Sequence, residues 1–224
     1  FIWKDSKVRD LFDSMMRGYP IGYLMLWECP SLDKKKSIGV DAHSYVTPKE
    51  VIIDGQQRLT SLYAVMKGKK VINSKFDEKS IVISYCPLQN KFEVGYQATK
   101  NDPEWIYNIS DLFTDYRSTK GSELTDEEQG LIADRINSVV NLKSHTLPVF
   151  DIKSTAEEED VSEIFVRVNS GGVSLKQNDF ILTLLSLYWD DGRREIEQFS
   201  KDSTAPAKGK TTSYNQLTTV SAQD

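Results

Sequence analysis

Two residue types that build most small metal and disulfide sites are nearly missing from this chain. Cys29 and Cys86 are the only cysteines, and His43 and His145 the only histidines. Two isolated cysteines support neither a disulfide framework nor a thiolate metal site. The two histidines lack ligand spacing, which excludes a zinc centre built on them. No apolar run is long enough to span a bilayer, so a membrane protein is not expected. The opening residues do not read as a secretory leader, and a reduced, cytoplasmic setting fits the cysteine usage best. The first residue is Phe1, so a piece of a longer protein is expected. Basic charge is also not in excess. The formal net charge is −5, which argues against coating nucleic acid by bulk electrostatics, though not against a local DNA-facing surface.

What is present suffices for folding. A chain of 224 residues with 39% hydrophobic content buries a sizeable core, as one domain or two intimate lobes. Val8, Leu11, Phe12, Met15 and Met16 share one helical face that stops at Gly18. Residues 21–27 read as a buried strand, and 28–49 as a long polar connection. Ile81 to Tyr85 and Lys91 to Val94 read as paired strands around Leu88-Gln89-Asn90. Three capping boxes then open helices: Thr125-Asp126-Glu127-Glu128, Thr155-Ala156-Glu157-Glu158 and Ser174-Leu175-Lys176-Gln177. The first box leads a helix with Leu131, Ile132, Ile136, Val139 and Val140 inward. The second leads one with Val161, Ile164, Phe165 and Val168. The third leads a leucine-rich helix running to Trp189. Residues 145–152 read as a strand. The organisation is therefore α+β: an α/β lobe over 1–118, a mainly helical lobe over 119–200, and a polar tail over 201–224. The soft boundary falls at 115–122.

One stretch carries chemistry. Val51-Ile52-Ile53 is a β-branched strand that ends abruptly in Asp54-Gly55, and Gln56-Gln57-Arg58-Leu59-Thr60-Ser61-Leu62-Tyr63 begins a helix at once. Unpaired backbone N–H groups and the positive end of the helix dipole meet there, which makes a place for an anion. Arg58 adds a planar fork suited to phosphate oxygens. The plainer reading is a cap: Asp54 at the N-cap, Gly55 easing the turn and Gln57 closing a box-like pair. Capping accounts for Asp54 and Gly55 but not for the consecutive Gln56, Gln57 and Arg58. Leu59, Leu62, Tyr63 and Met66 recur at i, i+3, i+4, i+7 and are expected in the core. A second constellation, Arg167, Asn169, Ser170, Gly171 and Gly172, lies between two capped helices. It reads equally as a helix-ending turn and as a place of close ligand approach.

The run Asp54-Gly55-Gln56-Gln57-Arg58-Leu59-Thr60-Ser61-Leu62 resembles the signature of the N-terminal domain of GmrSD-type restriction enzymes, a family related to the ParB/sulfiredoxin fold. Two further stretches are similar to that family, in its order. One is Phe1-Ile2-Trp3 with Leu11-Phe12-Asp13-Ser14 and Arg17-Gly18-Tyr19-Pro20-Ile21-Gly22. The other is Phe165-Val166-Arg167-Val168-Asn169-Ser170-Gly171-Gly172-Val173-Ser174-Leu175. The resemblance covers residue 1 to about 190.

It implies a ParB-like fold for the first lobe, NTP with Mg²⁺ as cofactor, DNA as a partner, and a C-terminal nuclease domain or subunit, with a homodimer allowed. The likeness also assigns Arg167 and Asn169, with Ser170 and Gly171, to the site begun by Asp54 to Arg58. Within that reading Arg58 neutralises phosphate charge and the Gly55–Gln57 amides hold oxygens. Gln56 or Gln57 orients the attacking water. Asp54 acts as base or holds a Mg²⁺-bound water, with no protein cluster binding the metal directly. The expected function is a nucleotide-binding, NTP-hydrolysing domain of a modification-dependent restriction protein that senses DNA. The alternative is a non-hydrolytic ParB-like DNA-binding or nucleotide-switch module, and a purely structural use of the motif is a third reading. Sulfiredoxin-like chemistry is excluded, because Gln56 stands where that relative has its reactive cysteine. Two lone histidines also cannot make the His-Asn-His nuclease motif.

Other candidates carry less. Lys208-Gly209-Lys210-Thr211 looks like the end of a Walker A loop, but Thr204 stands at its first glycine and no strand precedes it. Glu157 to Asp160 are acids of the kind a first helical turn attracts. Lys34-Lys35-Lys36 and the lysines at 67, 69 and 70 read as solvated surface.

Overall fold

In the computed structural model, the described residues are 1–28, 50–73, 77–113, 125–169, 181, 185, 189–204 and 213–214. The chain divides into two compact units, each assembled from two separated segments. Residues 1–22 with 55–148 make the first, and 23–54 with 149–224 the second. This division interleaves the chain, whereas the sequence reading cuts it into consecutive lobes. The expected boundary region, 115–122, lies outside the described residues.

The first unit is built around helix α1, Asp5–Met16, whose Val8, Leu11, Phe12 and Met15 are buried as their spacing predicts. After α1 the chain turns at Gly18, whose N–H donates to Met15 O, while Tyr19 N–H donates to Ser14 O. Helix α2, Gln56–Lys67, lies in the same unit. Of the four residues expected inward, Leu62 alone is fully buried, and Tyr63 is exposed. The helix instead buries Ser61, Leu62, Ala64 and Val65. The reason is close approach to the 3-10 turn Ile109–Phe113, where Ser110 Oγ donates to Val65 O at 2.6 Å. Small side chains suit that contact, so the bulky stripe is turned away from it. Leu59, Leu62, Tyr63 and Met66 line an apolar groove of about 260 Å³ with Met15, Leu142 and Leu147.

Facing α1 is a hairpin of β-strands at Ile83–Cys86 and Lys91–Val94, paired antiparallel as expected. Phe12, Phe92 and Tyr85 form a run of rings, with centroids 6.4 Å apart for Phe12–Phe92 and 4.7 Å for Tyr85–Phe92. Burial pushes the Tyr85 phenol up to about 12, so it stays a neutral donor to Asn90 Oδ1 at 2.8 Å. Helix α4 in chain order, Asp126–Asn141, follows the short α3, Gln97–Asn101. Its capping box is formed as the sequence predicts. Glu128 N–H donates to Thr125 Oγ1 at 3.2 Å, and Thr125 N–H donates to Glu128 Oε2 at 2.9 Å. Val139 is its one fully buried residue and Leu131 is exposed. Arg135 from α4 donates to the carbonyls of Pro87 and Leu88, at 2.6 and 2.8 Å, and so ties the helix to the hairpin turn.

The second unit holds a three-stranded sheet. Its strands, in chain order among those of this unit, are Leu24–Glu28, Glu50–Asp54 and Val149–Ile152. The first is central, antiparallel to the second and parallel to the third. Both the expected strand at 21–27 and that at 145–152 are shorter than read. A 3-10 turn at Leu142–Ser144, with His145 as its C-cap, comes before the latter, and the strand itself starts at Val149. Helix α5, Glu158–Asn169, contributes Val161 and Phe165 to a core with Met25, Trp27 and Ile53. It starts later than the predicted Thr155 box. Glu157 N–H donates to Asp160 Oδ2 at 3.2 Å, so a first-turn carboxylate takes the capping role there. Helix α6, Asp190–Thr204, also belongs to this unit. The predicted helix from Ser174 and the tail after Thr204 fall almost wholly outside the described residues.

Candidate functional site

The strand 50–54 carries an irregularity immediately before the motif. Met25 is paired with Asp54 but Leu26 with Ile52, so Ile53 is an extra residue opposite that step. Such a bulge bends a strand and re-aims the residues that leave it. Ile53 turns into the core of the second unit, and Asp54 is the last residue of the strand. The border between the two units falls at the next peptide, between Asp54 and Gly55.

Gly55 is the N-cap of α2, with φ +91° and ψ 4°. The capping reading of Asp54 is therefore corrected: a left-handed turn is needed to start α2 directly from a strand, and glycine takes it at little steric cost. No side chain caps this helix and no acid stands in its first turn. The contrast with α4 and α5 is sharp. Their first turns contain Asp126, Glu127 and Glu128, and Glu158, Glu159 and Asp160. Carboxylates are what the positive end of a helix dipole favours. In α2 the first turn contains Gln56, Gln57 and Arg58 instead, a cation where an anion is stabilised.

Two of these side chains are held by the N-terminal segment of the same unit. Gln57 Oε1 accepts a hydrogen bond from Ile2 N–H at 3.0 Å rather than closing a capping pair. Arg58 is half-buried, its Nε is buried, and its guanidinium lies against Gly22. A Cβ on Gly22 would stand 2.5 Å from Nη2 and 3.0 Å from Cζ of Arg58. Gln56 is exposed. The chain thus presents a helix N-terminus with an arginine in its first turn, a chemistry suited to phosphate or carboxylate oxygens.

The second constellation belongs to the other unit. Arg167, in the last turn of α5, is largely exposed and pairs with Glu163 one turn back. Asn169 Nδ2 donates to Phe165 O at 2.8 Å, which satisfies a carbonyl near the helix end. Both side chains have a local helical use. Ser170 and Gly171 lie outside the described residues.

Two groups near the motif were not singled out as site residues from the sequence. Gly22 sits in a stretch quoted above for its resemblance, and its pairing with Arg58 is visible only in three dimensions. The signal was a glycine inside the stretch read as a strand, 21–27, where β-branched or aromatic residues are usual. Ile2 contributes through its backbone N–H, for which no sequence signal exists.

Among the described residues, no group of three or more His, Cys, Asp or Glu is placed to hold a metal, and no helix is long and apolar enough to cross a membrane. The apolar groove along α2 does not include Gln56, Gln57 or Arg58, so that groove and the candidate anion site are different places. Comparison with family models matches residues 1–186 to the GmrSD restriction endonuclease, N-terminal domain. No curated protein matches the chain.

Proposed function

The chain belongs to the family of the GmrSD restriction endonuclease N-terminal domain, which implies a restriction, phage-defence protein, and from that premise we propose that its Asp54–Arg58 junction binds and hydrolyses a nucleoside triphosphate. The observation that carries this reading is the start of α2. It has a left-handed glycine cap, no capping side chain, no acid in its first turn, and an arginine seated there. The positive end of a helix dipole and an arginine side chain both attract anions, and a polyphosphate brings the matching charge.

In the proposed mechanism the first-turn amides and Arg58 hold phosphate oxygens and stabilise the charge that spreads over them as the γ-phosphoryl group leaves. Gln56, exposed at the first position of α2, orients the attacking water. Gln57 is the weaker choice for that role, because its Oε1 is engaged by Ile2 N–H. Asp54 takes the proton of that water or hydrogen-bonds to a metal-bound one. Mg²⁺ fits this donor set as the nucleotide's own ion. It commonly binds through phosphates, waters and one or two carboxylates, and Asp54 is the carboxylate adjacent to the junction. Bound there, Mg²⁺ would neutralise phosphate charge. The reading is completed by a ParB-like ancestry for this junction, a DNA partner, and a nuclease part that acts when nucleotide is turned over. Arg167 and Asn169, which the resemblance assigns to the same site, each also have a local partner on α5.

Two substitutions separate binding from chemistry. Arg58→Ala removes charge-assisted contacts and is expected to weaken nucleotide binding roughly 10- to 100-fold. Asp54→Asn keeps size and loses charge, so it should spare binding and lower turnover by roughly 10²- to 10⁴-fold. Calorimetric titration and single-turnover phosphate release on the same samples, with and without DNA, check both. Binding without any hydrolysis by the wild type would replace this reading with that of a nucleotide-switch or DNA-binding module. No nucleotide binding at all would sink both.

A further inference from the structure

We propose that Gly22 is a positioning residue for Arg58: the absence of a side chain at position 22 is what seats the guanidinium at the start of α2. Gly22 has φ +92°, and the three heavy atoms nearest to a Cβ built on it all belong to Arg58. They are Nη2 at 2.5 Å, Cζ at 3.0 Å and Nε at 3.5 Å. Gly18 supplies the comparison within the same segment. Its φ is +69°, also left-handed, but a Cβ there would meet nothing within 4 Å. Gly18 therefore answers to backbone conformation alone, whereas Gly22 answers to conformation and to the space taken by a guanidinium.

The direction in which a substitution acts follows from what it collides with. A Cβ at position 22 meets no backbone among its nearest neighbours, only the far end of a flexible side chain. The least costly relief is rotation of Arg58, by roughly 1 Å at Nη2 to restore an ordinary non-bonded separation. Gly22→Ala is thus expected to leave the fold standing and to move the guanidinium. A shift of about that size at a charge-assisted contact is enough to cost up to about 100-fold in function. The ligand consequence rests on the reading of Arg58 as a phosphate-binding residue. The seat itself does not.

The test uses the full chain as wild type, Gly22→Ala, Gly18→Ala, Arg58→Ala and the double variant Gly22→Ala/Arg58→Ala. The first readout needs no ligand: the ¹⁵N Nε–Hε cross-peak of Arg58, assigned by its disappearance in Arg58→Ala. Gly22→Ala should shift that peak and speed its exchange with solvent, and Gly18→Ala should leave it in place. The second readout is titration with Mg·ATP and Mg·GTP. Gly22→Ala should weaken whichever nucleotide binds by tenfold or more, with Gly18→Ala close to wild type. In the Arg58→Ala background, adding Gly22→Ala should lower the unfolding temperature less than it does in the wild type, because the collision partner is gone and only the cost of the positive φ remains.

An Arg58 cross-peak unchanged in folded Gly22→Ala overturns the proposal; a shifted cross-peak with wild-type nucleotide affinity supports the seat and overturns its consequence for the ligand. If Gly22→Ala does not fold, the double variant decides. A folded double variant supports collision with Arg58, and an unfolded one overturns it. If the wild type binds neither nucleotide while the cross-peak moves as expected, the nucleotide reading fails and the seat stands.

Discussion

Glu93 illustrates how a single side chain in this molecule carries both packing and charge. Burial opposes its ionisation, but the Val94 N–H and the Arg9 guanidinium donate to its carboxylate, and together they hold it below the ordinary carboxylate range. The Arg9–Glu93 pair joins α1 to the strand at residues 91–94 and is partly shielded from water. A depressed carboxyl value means that the unfolded chain binds the proton more readily. The stability from this pair is therefore present above the ordinary value of 4.5 and is lost as pH falls through the lower, folded value. Arg9→Ala should move the Glu93 titration upward and reduce the acid-side fall in stability. A carboxyl-resolved NMR titration, with urea midpoints at matched pH values, checks this. A Glu93 curve that does not move in Arg9→Ala would leave the Val94 N–H and the Lys91 ammonium as the causes.

At the scale of elements, what each helix does at its first turn separates structural helices from the candidate site. α4 is closed by a reciprocal Thr125–Glu128 box and three acids. α5 begins with acids as well. Such starts stabilise a helix by themselves, and Thr125→Ala is expected to cost about 1 kcal/mol, read as a lower urea midpoint with an unchanged slope. The Glu128 carboxyl is held low by the Thr125 N–H and hydroxyl, so part of the box is lost as pH falls below the usual carboxylate range. α2 lacks all of these devices. Its own packing, through Ser61, Ala64 and Val65 and the Ser110 hydrogen bond, offsets the missing cap. At its N-terminus, Gln57 instead accepts from Ile2 N–H, and the Arg58 guanidinium rests against Gly22.

For the whole molecule, two cores formed by interleaved segments mean that local damage should be read locally. Phe12 is fully buried in the first unit and touches Phe92, while Phe165 is buried in the second with Met25 and Trp27. Either Phe→Ala change removes a large ring from a packed interior and should cost roughly 3–5 kcal/mol. Hydrogen exchange distinguishes the two. Phe12→Ala should lower protection first at Ile83 to Cys86, and Phe165→Ala first at Leu24 to Glu28. Equal loss in both places from either change would mean that the two cores unfold as one cooperative body.

The features legible in the sequence are those closed within a few residues. The strand-to-helix step at Asp54–Gln56, the Thr125 box, the α1 face and the hairpin at 83–94 all depend on short-range sterics and hydrogen bonds, which a local pattern encodes. Of the candidate site, the order of residues at the helix start was legible to the same extent: Gly55 as the turn, then Gln56, Gln57 and Arg58 in the first turn of α2. Three things lay beyond such reading. The face that α2 buries was decided by close approach to the turn at 109–113, which favoured Ser61 and Ala64 over the bulkier stripe. The pairing of Leu24–Trp27 with Val149–Ile152 joins segments far apart along the chain and builds the sheet from both. The contact of Gly22 with Arg58 has no periodicity to betray it. By itself the sequence determined the local elements and the chemistry of the motif. Only the tertiary structure decided which faces meet and where the guanidinium rests, because those outcomes depend on packing between segments that no local window contains.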